Sequence, residues 1–213
     1  MPPTADRTST ALAPRRAEEQ ERSASPDARA NPAVDGAWAG TPPTPAWALA
    51  ALGVLGSAAL AAVCWAAGHV HADPSLRTAA RFLHFVALIV GLGSVLAVDW
   101  LAVLWMLGRR RLADVLNISR ALQVPIWLGL TGLVVTGLFL RPDLESPLTL
   151  VKLGLVLVIT FNGLYAHWLG QCLDRYRDAR VPRPLLVRSG SAAAVSQFGW
   201  WGATVIGFLN SRS

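Results

Sequence analysis

The chain reads as an all-α, polytopic membrane bundle: about five transmembrane helices, a four-helix core plus an extra N-terminal span, behind a disordered N-terminal tail. Three observations predict this. Of 213 residues, 53% are hydrophobic and 15% charged, with a mean hydropathy of +0.42. Six of the 13 acidic residues fall in the first 45 positions. The remainder contains apolar stretches close to the roughly 20 helical residues that cross a hydrocarbon core of about 30 Å. A water-soluble globule is excluded. So is a disulfide scaffold, because the only cysteines, Cys64 and Cys172, adjoin or lie within apolar segments.

Residues 1–45 are rich in Pro, Ala, Ser, Thr, Arg and Glu and nearly lack large aliphatic side chains, so they cannot offset the entropy of ordering. They are expected to form a disordered cytoplasmic tail. The first transmembrane helix is expected over 46–70 and the four-helix membrane domain over 79–210. The apolar stretches run from Ala46 to His69, Ala79 to Leu107, Ala121 to Leu140, Leu148 to Gly170 and Ala192 to Asn210. None alternates as a barrel strand would. The last is diluted by Ser196, Gln197 and several glycines and alanines, and four spans with a surface-lying final helix is the alternative.

Charge sets the expected orientation. The second-to-third connection holds Arg109, Arg110, Arg111 and Arg120, and the fourth-to-fifth holds Arg175, Arg177, Arg180, Arg183 and Arg188. The other two connections carry only Arg77 and Arg81, and Arg141 and Lys152. By the positive-inside rule the rich connections are cytoplasmic, which puts the N-terminus inside and the C-terminus outside. The net charge of +6 is therefore a topology signal and not a nucleic-acid one.

Ionisable groups within spans are costly, which makes them the default candidates for function. Four stand out: His84, Asp99, Lys152 and His167. Snorkelling to the headgroups is the plain alternative for a His or Lys near a span end, as at His84 and Lys152. If Phe82 and Leu150 are comparable outer edges, His84 and His167 differ in depth by about 22 Å at 1.5 Å per residue, so they cannot share one haem. Asp99, Gln123 and His167 fall at one level, with Gln197 about a turn away. A cluster there would serve as a proton relay, as support for a metal ligand, or as a polar clasp between helices. At the opposite end His69, His71 and Asp73 leave the first span near the depth of His84 and Lys152. His69, His71 and His84 are the candidate metal ligands, since neutral imidazole suits copper and zinc. Unliganded surface histidines are the plain alternative.

His84, Leu88, Gly91, Val95 and Asp99 share an arc of about 80° on a helix, as do Lys152, Gly163 and His167. Asp99-Trp100-Leu101 matches His167-Trp168-Leu169 at an offset of 68, and Arg109/Arg177 and Arg120/Arg188 share it. A duplicated two-helix unit leaves such a trace, although identity elsewhere at that offset is no higher than Leu- and Val-rich text gives by chance.

Four pieces can be read together: Arg81-Phe82-Leu83-His84 opening a span, Gly91-Leu92-Gly93-Ser94 within it, Thr136-Gly137-Leu138 ending the next, and Leu150-Val151-Lys152-Leu153-Gly154-Leu155-Val156-Leu157 opening the fourth. Together they resemble the membrane domain of CopD-like copper-resistance proteins of bacterial inner membranes, over roughly residues 79–210. The resemblance implies handling of copper at the plasma membrane, with His84 matching the family's helix-opening histidine. Haem b held by one histidine and a different partner is the alternative cofactor, and a non-catalytic subunit partnered by another membrane chain or a second copy is a third reading. No Ser/His/Asp grouping, Cys-x-x-Cys, phosphate-binding glycine loop or zinc-protease helix is present, so a non-enzyme is expected.

Overall fold

A computed structural model of the chain describes residues 43–70, 73–140 and 143–210. They form five α-helices: α1 (Ala46–Ala67), α2 (Pro74–Met106), α3 (Leu112–Phe139), α4 (Pro147–Asp174) and α5 (Arg183–Asn210). The first four are long and apolar enough to cross a membrane. Most of the expected tail lies outside the described residues, as does His71. Large apolar side chains face outward along the bundle, among them Ile89 at 71% and Phe198 at 76% exposure. Water does not tolerate so much unbroken apolar surface, and lipid covers it.

Helix ends follow capping chemistry and not hydropathy. α2 begins five residues before the apolar stretch because Asp73 caps it: one carboxylate oxygen accepts from Leu76 N at 2.7 Å and from the Ser75 hydroxyl at 2.8 Å, with Pro74 opening the first turn. The Leu76 amide, and then the Ser75 hydroxyl, hold the Asp73 carboxyl below the usual range. α2 ends in a Schellman turn, with Gly108 N donating to Trp105 O and Arg109 N to Leu104 O, each at 2.9 Å. That turn requires the left-handed φ of +70° that Gly108 supplies. With 33 residues α2 is about 50 Å long, so its ends project past the hydrocarbon. α3 and α5 likewise start about nine residues before their apolar stretches, in turns carrying Asp114 and Arg188. Both cysteines are free thiols.

The helices run up and down. A Cβ built on Gly129 of α3 would lie 2.5 Å from Gly91 Cα of α2, so these two backbones touch. Seven residues away on each helix, and in opposite directions, His84 meets Thr136. α4 and α5 pair in the same way. Asn162 donates to Ala192 O at 2.8 Å, Ile159 lies against Gly199, Leu155 against Gly202, and Asn210 bonds Thr149 at 3.3 Å. α5 therefore packs along α4, from Ala192 at Asn162 to Asn210 at Thr149. α1 runs antiparallel to α4, with Thr44 at Gln171, Gly53 at Phe161 and Gly56 at Thr160. Thr44 and both arginine-rich connections thus share one end of the bundle.

The offset of 68 recurs at a few positions of the hairpins α2–α3 and α4–α5, but their packing does not keep it: Gly91 meets Gly129, whereas Ile159 meets Gly199. Met106 and Asp174, the last residues of α2 and α4, are 68 apart. The Thr136 hydroxyl donates to Gly132 O at 2.5 Å, and Thr204, 68 residues later, donates to Trp200 O at 2.8 Å. The hairpins dock reciprocally, since the second helix of each lays a tryptophan on a glycine in the first helix of the other. Trp200 covers Gly91 and Trp127 covers Gly163. Trp200 is 2% exposed and centres a core with Leu92, Val95, Leu130 and Ile159.

Replacing Gly129 by Ala forces a methyl into backbone and should cost about 1–3 kcal/mol. Gly93 has open space around it, and Gly93→Ala should be close to neutral. Thermal unfolding in detergent should separate the two variants; equal behaviour would contradict the close approach.

Candidate functional site

Polar side chains lie at two levels of the bundle. At the end away from the arginines, His84 of α2 is half-buried with Nδ1 at 2.8 Å from Thr136 Oγ1. The single hydroxyl proton of Thr136 goes to Gly132 O, so its oxygen receives the His84 Nδ1–H. That bond, with the Leu133 backbone that also meets the ring, holds the imidazole against α3. Lys152 of α4, also half-buried, is near enough for its charge to act on His84, and its Nζ approaches Gly207 of α5. Lys152 stands 68 residues after His84, just as Thr204 stands 68 after Thr136, so this level combines positions that correspond at that offset.

The other candidate ligands are placed differently. α1 ends at Ala67, which frees His69 from helical geometry, but the ring folds back on its own helix. His69 Nδ1 donates to Trp65 O at 2.9 Å and the two rings lie 4.4 Å apart. The Asp73 carboxylate is engaged in its cap. His71 lies outside the described residues. Among the described residues no three His, Cys, Asp or Glu side chains gather closely enough to hold a metal ion.

At the arginine-rich end the expected cluster of Asp99, Gln123 and His167 divides into two pairs. His167 Nδ1 meets Gln123 Oε1 at 2.9 Å, and its Nε2 meets Gln171 Nε2 at 3.0 Å. Both ring nitrogens are thereby taken, so Asp99 has no place on this histidine. Asp99 instead accepts from Gln197 Nε2 of α5 at 2.6 Å, and Gln197 Oε1 accepts from Trp201 Nε1 at 2.9 Å. The reason is azimuth: Asp99 is level with His167 but faces α5, whereas His167 faces α3. Each pair joins one hairpin to the other, and Asp99 and His167 are themselves 68 residues apart.

His84 and His167 both bond to α3, at Thr136 and Gln123. Those positions are separated by about 20 Å along the helix, so one haem cannot bridge the two histidines.

Two participants escape a search for ionisable groups. Thr136 looks bland because a threonine hydroxyl in a span usually bonds its own helix. Gln171 lies one helical turn after His167, a spacing that could have marked it. Its carboxamide joins His167 to Thr44, accepting from Thr44 N at 2.7 Å and donating to Thr44 Oγ1 at 2.8 Å. Beyond it Asp174 is bound by Arg120 and Arg177, each at 2.5 Å, and Arg177 reaches Asn117 at 2.9 Å. This clasp ties the start of α3 to the end of α4. Compared with protein-family models, curated proteins and solved structures, the chain matches none.

Double-mutant cycles on unfolding should give a coupling of about 0.6 kcal/mol for Asp99 with Gln197, and a similar value for His167 with Gln123. Asp99 with His167 should show none. A substantial Asp99–His167 coupling would contradict the division into two pairs.

Proposed function

We propose that the protein is a non-enzymatic, multi-pass membrane carrier of a small metal cation, copper(II) above others, and that His84 is the group that meets the cargo. The orientation of the His84 ring carries this reading. Its Nδ1 is held by Thr136, the arrangement by which an outer hydrogen bond aims a metal-binding imidazole. Nitrogen donors suit copper(II). The CopD-like motifs support the choice of metal, and His84 is the residue they match.

Lys152 is near enough for its charge to act on His84, and an ammonium there repels a bound cation and favours its release. The positive-inside rule supports placing the arginine-rich end in the cytoplasm of a bacterial inner membrane, with His84 toward the outer face. Asp99–Gln197 and Gln123–His167 then lie at the inner level.

Copper(II) titration of the purified protein should show one bound ion. Thr136→Val should weaken binding by about 10-fold or more by releasing the ring, and Lys152→Met should tighten it by removing a nearby positive charge. His84→Ala should abolish binding. Undiminished copper in elemental analysis of His84→Ala protein would sink the proposal.

A further inference from the structure

The connection between α4 and α5 carries a groove of about 290 Å³ whose lining includes Trp168, Cys172, Arg175, Tyr176, Leu185 and Arg188. Its two guanidinium groups are uncommitted. Arg120 and Arg177 are engaged with Asp174 and Asn117, whereas Arg175 and Arg188 make no side-chain hydrogen bond or ion pair among the described residues. Local charge favours an anion: Arg180 and Arg183 flank the groove, and of the nearby carboxylates Asp174 is already paired, which leaves Asp178. The wall is apolar. Trp168, Cys172 and Leu185 are half-buried, and Trp168 stacks on Tyr165 with ring centroids 6.0 Å apart. The groove sits where two membrane helices end, the level at which lipid headgroups begin.

We propose that this groove binds the headgroup of an anionic phospholipid, with Arg175 and Arg188 on the phosphate and Trp168 and Leu185 against the glycerol and upper acyl chain. Basic pockets between membrane helices at the cytoplasmic level select such lipids. A free phosphate would use the arginines and leave the apolar wall wetted; a phospholipid satisfies both. The α2–α3 turn also has a groove, lined by Gly108, Arg109, Arg110, Arg111 and Asp114. It has more arginines but also a carboxylate, and it has no aromatic or aliphatic wall. Charge alone favours neither groove, since three arginines and an aspartate balance to the same net charge as Arg175 and Arg188, whereas headgroup recognition favours the one at Trp168.

Native mass spectrometry of the full chain in detergent, with phosphatidylglycerol or phosphatidylcholine added, tests the assignment. Phosphatidylglycerol should be retained in preference. The double variant Arg175→Gln/Arg188→Gln should lose about 30-fold in its retention, at about 1 kcal/mol for each basic contact. Arg109→Gln/Arg110→Gln should leave retention unchanged, and inorganic phosphate should fail to displace the lipid. Leu185→Ser should weaken phosphatidylglycerol binding while both arginines remain. Equal losses from the two arginine pairs would overturn the proposal, and so would displacement by inorganic phosphate, which would identify a simple anion site. Unfolding temperatures in phosphatidylcholine should match for all variants, showing that each is folded.

Discussion

The backbone contact between Gly91 and Gly129 organises the bundle. In lipid the hydrophobic effect does not drive one helix onto another, so association relies on close van der Waals packing where small residues allow it. A Cβ on Gly129 would meet backbone atoms of Gly91 and Ala87, which means that α2 and α3 approach to the steric limit. This contact sets the register of the hairpin. Seven residues toward one end it brings His84 to Thr136, and at the same glycine Trp200 arrives from α5. Eight residues the other way along α2, Asp99 meets Gln197. Both polar levels depend on one close approach.

A few positions of the two hairpins correspond at an offset of 68 and carry different side chains. Thr136 and Thr204 keep the same hydrogen bond to their own helices. Their neighbours on the preceding helix differ: an imidazole at His84 and an amine at Lys152. At the other level the mates are a carboxylate, Asp99, and an imidazole, His167, each bonded to a glutamine of the opposite hairpin. Polar bonds between membrane helices contribute little individually, about 0.6 kcal/mol on average. Such pairs orient chemistry more than they hold the bundle together; the glycines and tryptophans do the latter.

Hydropathy located all five helices but not their ends, because helices continue beyond the lipid as long as caps and turns permit. Asp73-Pro74 was a readable start signal for α2, and Gly108 a readable stop. Counting residues placed Gln123 and His167 at a common depth, and the structure joins them. The same count put Asp99 with them, yet depth says nothing of the side of a helix a residue faces, and Asp99 faces α5. The offset of 68 was visible at a few polar positions and invisible elsewhere, since packing in lipid constrains size more than identity. Gln171 and Thr136 were hidden for a further reason: an uncharged side chain in a span does not advertise a partner on another helix.

The account depends on the His84 imidazole meeting the metal through one ring nitrogen while Thr136 holds the other. Pulsed electron paramagnetic resonance on the copper(II)-loaded protein reads this directly, because an imidazole bound through one ring nitrogen shows modulation from the remote one. A single remote-nitrogen pattern is predicted, altered in Thr136→Val, where that nitrogen loses its hydrogen bond, and absent in His84→Ala. A copper signal without remote-nitrogen modulation, or one unchanged by His84→Ala, would contradict the account.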